Sequence, residues 1–224
     1  MLVYADLSQR AVVDTTSLPW TASPMAGVER KLLERDGGEV ARATSLVRYA
    51  PGSRFEAHEH AGGEEILVLD GTFSDEFGDY PAGTYLRNPP GSRHAPFSAD
   101  GCTLFVKLRQ FAADDLKRVV IDTGAASFQP GKTDAYDELM LHQHGPERIY
   151  LLRWHAGKSY PMHIHRGGEE IFILSGRYAD EHGSYPAGTW VRSPVGSSHT
   201  PCETEGALFY AKLGHLPATD KQAA

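Results

Sequence analysis

Residues 52–71 read Gly52-Ser-Arg-Phe-Glu-Ala-His58-Glu-His60-Ala-Gly-Gly-Glu64-Glu-Ile-Leu-Val-Leu-Asp-Gly71, and residues 157–176 read Gly157-Lys-Ser-Tyr-Pro-Met-His163-Ile-His165-Arg-Gly-Gly-Glu169-Glu-Ile-Phe-Ile-Leu-Ser-Gly176. The two stretches carry the same pattern, Gly-x5-His-x-His-x3-Glu-x6-Gly, at an offset of 105 residues. Carried outward without a gap, that offset lays residues 46–108 on 151–213 with 29 identities in 63 positions. Downstream it matches Pro81-Ala-Gly83 with Pro186-Ala-Gly188, and Pro89-x-Gly91-x2-His94 with Pro194-x-Gly196-x2-His199. Upstream, at a slightly different offset, Arg10-Ala-Val-Val-Asp-Thr15 resembles Arg118-Val-Val-Ile-Asp-Thr123. The chain is one unit of about 100 residues written twice. The expected organisation is 1–110, a linker over 111–117, and 118–224.

Each unit reads as all-β. Leu46-Val-Arg-Tyr, Ile66-Leu-Val-Leu, Tyr85-Leu-Arg and Thr103-Leu-Phe-Val are short apolar or alternating runs, separated by Gly, Pro and Asp turn signals. Such spacing predicts a sandwich or barrel in each unit. Short helical patches are expected only around Ala112–Lys117 and in the C-terminal tail.

The repeated histidines predict metal binding. Side chains two apart on a strand share a face, so His58 and His60, like His163 and His165, would point inward together. Gly-Gly permits a sharp reversal that returns Glu64 or Glu169 alongside them. His94 and His199 follow tight Pro-x-Gly turns and would arrive from a strand across the barrel. Glu65 and Glu170 are rival carboxylates, with spacing favouring Glu64 and Glu169. Three neutral imidazoles and one carboxylate suit a divalent first-row metal, one per barrel, with zinc or iron foremost and manganese or nickel as alternatives. Such a set leaves coordination positions open for a substrate or dioxygen.

These residues are similar to the two signature motifs of the cupin superfamily, and their duplication resembles a bicupin. Within cupins, Trp20-x-x-Ser23-Pro24-Met25-Ala26-Gly27-Val28 with Lys31-Leu32-Leu33 resembles the ChrR-type family. So does Tyr80-Pro-Ala-Gly-Thr-Tyr85 leading into Asn88-Pro-Pro-Gly-Ser-Arg-His94. The resemblance implies two tandem jelly-roll (double-stranded β-helix) barrels. It also implies either a metal-dependent dioxygenase or related oxidoreductase, or a zinc-binding regulatory cupin of the anti-sigma kind that responds to singlet oxygen. The anti-sigma factor contacts its partner through an N-terminal helical domain with a His-x3-Cys-x2-Cys motif. No such motif occurs in these residues, so sigma-factor binding is not expected.

Composition narrows the rest. The chain has 224 residues, and 22 Lys+Arg against 29 Asp+Glu give a net charge of −7, which argues against nucleic-acid binding. It has no apolar run near membrane-span length and no signal-peptide pattern, so a cytoplasmic protein is expected. Two cysteines, Cys102 and Cys202, make no disulfide framework. Cys102 is expected in the core and Cys202 on a pocket wall near His199. The partner expected is a small-molecule ligand or substrate, with a homodimer as a modest expectation. His142-Gln-His144 is expected on a solvent-facing strand, and His155, His182 and His215 at the surface. The repeated arginines Arg48/Arg153 and Arg87/Arg192 are expected in surface or inter-strand ion pairs with Asp75-Glu76 and Asp180-Glu181. The paired aromatics Tyr49/Trp154, Phe55/Tyr160, Phe73/Tyr178, Tyr85/Trp190 and Phe105/Tyr210 are expected mostly in the core.

Overall fold

The computed structural model describes residues 1–202 and 205–217. Among them there is no helix, and the chain is built from antiparallel strands, as the alternating runs imply. Ala112–Lys117 forms turns and irregular backbone rather than a helical patch, because tertiary contacts override the local propensity of its Ala, Leu and Lys residues: Asp115 is buried on Arg87. The C-terminal tail lies outside the described residues.

Two compact units result. One comprises Met1–Ala5 and Leu18–Ala126, the other Asp6–Ser17 and Ser127–Ala224. In the first, the main sheet runs Leu2–Val3, Val28–Gly37, Ala41–Tyr49, Cys102–Leu108, Glu64–Asp75, Thr84–Asn88 and Val119–Asp122. In the second it runs Gln129–Pro130, Tyr136–His144, Glu147–Trp154, Gly206–Leu213, Glu169–Asp180, Thr189–Ser193 and Ala11–Asp14. The units therefore differ from the sequence repeats by a reciprocal exchange. Ala11–Asp14, which opens the first repeat, pairs with Thr189–Ser193, and Val119–Asp122, which opens the second, pairs with Thr84–Asn88. The expected linker is likewise packed into the first unit. Phe111 lies 3.9 Å under the Arg87 guanidinium, and Asp115 is buried and accepts from Arg87 Nη2 at 2.6 Å.

The glycine that closes each motif has a steric reason. Gly71 and Gly176 sit at φ +71° and +73° beside β-bulges, and a Cβ on either would run into the carbonyl oxygen of Gly101 or Gly206. These bulges bend the long strand of each unit, so that its first half belongs to the main sheet and its second half curls toward the histidines. The paired aromatics are buried as expected, except Phe55 and Tyr160, which are only partly buried and stand against the sites described below. Cys102 is buried in the first core.

Candidate metal centre

In each unit a short two-stranded ribbon carries the His-x-His pair. His58–His60 pairs with Ser92–His94, placing His58 directly opposite His94; His163 is opposite His199 in the same way. The third histidine thus comes from the adjacent strand, and not from across the barrel, because the Pro-x-Gly turn is docked on the second histidine: Gly91 N–H donates to the His60 carbonyl at 3.0 Å and Gly196 N–H to the His165 carbonyl at 2.8 Å. In the first unit the ring nitrogens of His58, His60 and His94 lie within 4.8 Å of one another. Glu64 Oε2 stands 3.3 Å from His60 Nε2 and 3.5 Å from His94 Nε2. In the second, ligand atoms of His163, His165, Glu169 and His199 all lie within 4.8 Å of one another.

The two glutamates of each pair face opposite ways. Glu64 and Glu169 face the imidazoles, and Glu64 also accepts from Asn88 Nδ2 at 3.1 Å. Their neighbours face the opposite side of the strand. Glu65 pairs with Arg87 at 3.1 Å, and Glu170 accepts from Trp190 Nε1 at 2.6 Å and lies 3.2 Å from His215 Nε2.

The hydrogen bonds also set the tautomers. His94 Nδ1 lies 3.1 Å from Asp75 Oδ2, and His199 Nδ1 lies 3.0 Å from Asp180 Oδ2. His58 Nδ1 faces the Glu56 carbonyl at 2.9 Å and His163 Nδ1 the Pro161 carbonyl at 3.2 Å. A proton on each Nδ1 leaves the Nε2 lone pair aimed at the centre of the cluster, the arrangement that metal-binding histidines use. Ring nitrogens then meet at short range, the lone pairs of His163 Nε2 and His199 Nε2 at 3.1 Å, and His60 Nε2 with the lone pair of His94 Nε2 at 2.9 Å. His165 Nε2 is buried with no hydrogen-bond partner. Acceptors crowded in this way fit a shared cation.

Electrostatics point the same way. Burial lowers His60 and His163 and brings His165 down to about 3, so these rings stay neutral. Burial pushes the Glu169 carboxyl up to about 7, a cost a bound cation would offset. Burial opposes ionisation of Asp180, yet hydrogen bonds from His199, Tyr185 and the His182 N–H outweigh it and bring the carboxyl down to about 2. Burial likewise works against a charged His199, but Asp180 and Glu169 raise it.

The surroundings of the two clusters differ. Beside His58, His60 and Glu64 a cavity of about 340 Å³ runs into the unit between Val28, Phe55, Leu104 and Val106. Val28, Tyr49 and Leu104 correspond to Tyr136, Trp154 and Phe209 in the second unit. There the larger rings pack together, Tyr136 stacked on Trp154 at 5.4 Å and Trp154 edge-on to Tyr178 at 5.5 Å. The cavity beside His163, His165 and Glu169, about 700 Å³, is bordered instead by Lys132, Arg148 and Arg166, and none of those aromatic rings lines it.

The remaining expectations are corrected as follows. Asp75 and Asp180 hold the third histidines, and do not pair with the repeated arginines. Arg87 pairs with Glu65 and Asp115 in the interior, and Arg192 is buried and donates to the Asp6 and Gln9 carbonyls. Arg48 makes a surface cross-strand pair with Glu29, and Arg153 covers the Phe128 ring. His142 is buried, because the bulge between Met140 and His142 turns it inward. His215 is buried against Glu170, while His182 is exposed as expected. Cys202 is exposed and not among the residues lining the His163 cavity. Asp75 and Asp180 were detectable in the sequence as a repeated pair, 19 residues before each third histidine.

A family profile described as the ChrR cupin-like domain matches twice, over residues 8–112 and 116–217. The chain belongs to the ChrR cupin-like family. Solved cupin structures superpose on both of its units, so each is a jelly roll. A protein from Nostoc punctiforme provisionally described as a dioxygenase is similar at TM-score 0.79 and 16% identity, covering 95% of this chain and 85% of that one. YlbA from Escherichia coli gives a TM-score of 0.72 at 16% identity, covering 97% of this chain and 96% of its own. An oxalate decarboxylase from Lactobacillus farciminis, in complex with formate, gives 0.60 at 12% identity, covering 93% of this chain and 86% of that one. No curated protein matches in sequence. The clusters this cupin carries, with the neighbours it has, suggest a divalent metal site.

Proposed function

We propose that this cupin is a metal-dependent oxidoreductase of the dioxygenase kind, acting on a small molecule in the first unit. His58, His60, Glu64 and His94 would hold the metal there, and His163, His165, Glu169 and His199 a second one. The observation that carries the reading is the apolar cavity of about 340 Å³ that opens directly on the first cluster. Enzyme pockets combine an apolar wall with a few convergent polar groups in this manner. A redox-active divalent metal such as iron would supply dioxygen activation, with open positions for the substrate's oxygen atoms. The chain's own part is positioning and protection. Asp75 fixes the His94 ring, Asn88 holds the Glu64 carboxylate, and Phe55, 5.6 Å from the His58 ring, shields the cluster from water. The second cluster would bind metal beside the cavity of about 700 Å³ that Lys132, Arg148 and Arg166 border, behind which the interior is packed with aromatic rings, and would serve the fold.

Metal analysis of the purified chain, followed by anaerobic loading with Fe(II) and oxygen-uptake measurements on small dicarbonyl compounds, tests this. Consumption of dioxygen by the iron form supports it. Tight zinc with no uptake by the iron form overturns it and leaves the zinc-binding regulatory reading.

A further inference from the structure

Arg109 ends the strand Cys102–Leu108 and lines the first unit's cavity. Among the described residues it is one of two non-glycine residues with positive φ, at +57°. Its counterpart in the second unit is Gly214, at φ +74°. Both make the same latch: Arg109 N–H donates to the Gly63 carbonyl at 3.0 Å, and Gly214 N–H to the Gly168 carbonyl at 3.0 Å. That latch holds the Gly-Gly loop between the second histidine and the glutamate of each cluster. Glycine does this without strain, whereas an L side chain in the left-handed region is disfavoured. The first unit nevertheless keeps an arginine there. Its stem lies over Gly62, where a Cβ would stand 2.7 Å from Arg109 Cγ.

The guanidinium is exposed and makes no hydrogen bond or ion pair among the described residues. The other cation lining the cavity, Arg30, is already paired with Glu39 at 3.2 Å. A backbone conformation kept against its preference, on a residue that lines a largely apolar cavity and whose charge has no partner among the described residues, points to function rather than stability.

We propose that Arg109 is the specificity-determining anchor of the first unit, binding the carboxylate of a substrate whose apolar body fills the cavity. This rests on the proposed function, since it names the substrate class of the same chamber. A guanidinium matches a carboxylate through two parallel N–H donors. An apolar monocarboxylate would lie with its tail among Val28, Leu104 and Val106 and its charged end at Arg109. Gly214 offers no such group at the matching position of the second unit, where the cations Lys132, Arg148 and Arg166 border a different cavity.

Calorimetric titration of the full chain with hexanoate and with the neutral isostere hexanamide tests the proposal. Both metal-free and zinc-loaded protein are used, because the metal-free arm removes any carboxylate–metal contact. Wild type should bind hexanoate at least about tenfold more tightly than hexanamide in both forms. In Arg109→Gln and Arg109→Gly that preference should fall to within about twofold, with metal content unchanged. Arg109→Gly should also raise the Tm, by about 2–4 °C, as the strain is released. No preference in wild type, or a preference that survives both substitutions, overturns the proposal. A Tm for Arg109→Gly at or below wild type overturns the argument from strain. Metal content and oxygen uptake are measured without hexanoate, so failure here and failure of the proposed function are seen separately.

Discussion

The two units carry closely similar histidine clusters and quite different interiors. Around the histidines the repeat is faithful: Asp75 and Asp180 hold the third ring at 3.1 and 3.0 Å, and Phe55 and Tyr160 stand 5.6 and 5.2 Å from the first. Behind the histidines it is not. Val28, Tyr49 and Leu104 line a cavity that runs into the first unit, whereas Tyr136, Trp154 and Phe209 pack together and the second unit's cavity lies elsewhere, against Lys132, Arg148 and Arg166. A duplicated domain can keep the same histidine and carboxylate cluster in both copies and differ in the cavity beside it, because the cluster depends on a few positions and the cavity on the volume and charge of others.

The largest expected effect lies in the filled interior. Trp154→Ala should destabilise the second unit by about 3–5 kcal/mol, since it leaves a cavity among Tyr136, Tyr178 and Phe209. Val28→Ala, which faces space already open, should cost roughly 1 kcal/mol. Thermal or denaturant unfolding compares the two, and equal costs would mean the interiors are alike.

Next, Val28→Tyr combined with Leu104→Phe copies the second unit's side chains into the first. Oxygen uptake should fall by about 100-fold or more while metal content holds, as blocked access removes substrate and not the ligands. Retained uptake would place the substrate elsewhere.

Where the units agree, substitutions should act alike. Asp75→Asn and Asp180→Asn should each weaken metal binding at their own site by about 10–100-fold, read by chelator competition. A large difference between them would show that the ligand sets are not equivalent.

The smallest effect is a surface term confined to the second unit. His155 lies 3.0 Å from Asp137 Oδ2, and that hydrogen bond raises its pKa; the first unit has Ala50 at this position. With the folded value above the unfolded one, the stabilisation is present below about pH 6.5 and is lost as pH rises through the folded value. His155→Ala should therefore cost well under 1 kcal/mol at pH 5.5 and nothing measurable at pH 9.

Much of this was legible in the sequence. The repeated Gly-x5-His-x-His-x3-Glu-x6-Gly fixes two copies of one β unit, and period-2 geometry alone brings His58 and His60 together. That Glu64 and Glu65 face opposite ways follows from strand parity, which sends adjacent side chains to opposite faces. What was hidden depends on pairing across distance. A sequence repeat cannot say which copy an edge strand joins, because Thr84–Asn88 and Thr189–Ser193 present the same register to either Ala11–Asp14 or Val119–Asp122. Asp75 looked like an ion-pair partner for arginine until the Gly71 bulge showed the strand curling toward His94. His142 and His215 read as surface residues because burial of a lone imidazole turns on one partner or one bulge, which leaves no periodic trace. The chamber was invisible because Val28 and Tyr136 are related at an offset of 108, outside the gap-free alignment.

The most direct measurement pairs His58→Ala with His163→Ala, reading metal content and oxygen uptake of the iron-loaded chain. Each variant should lose about one metal, uptake should vanish in His58→Ala, and it should stay within about twofold of wild type in His163→Ala. Uptake that survives His58→Ala, or that is lost only in His163→Ala, would contradict the assignment of chemistry to the first unit.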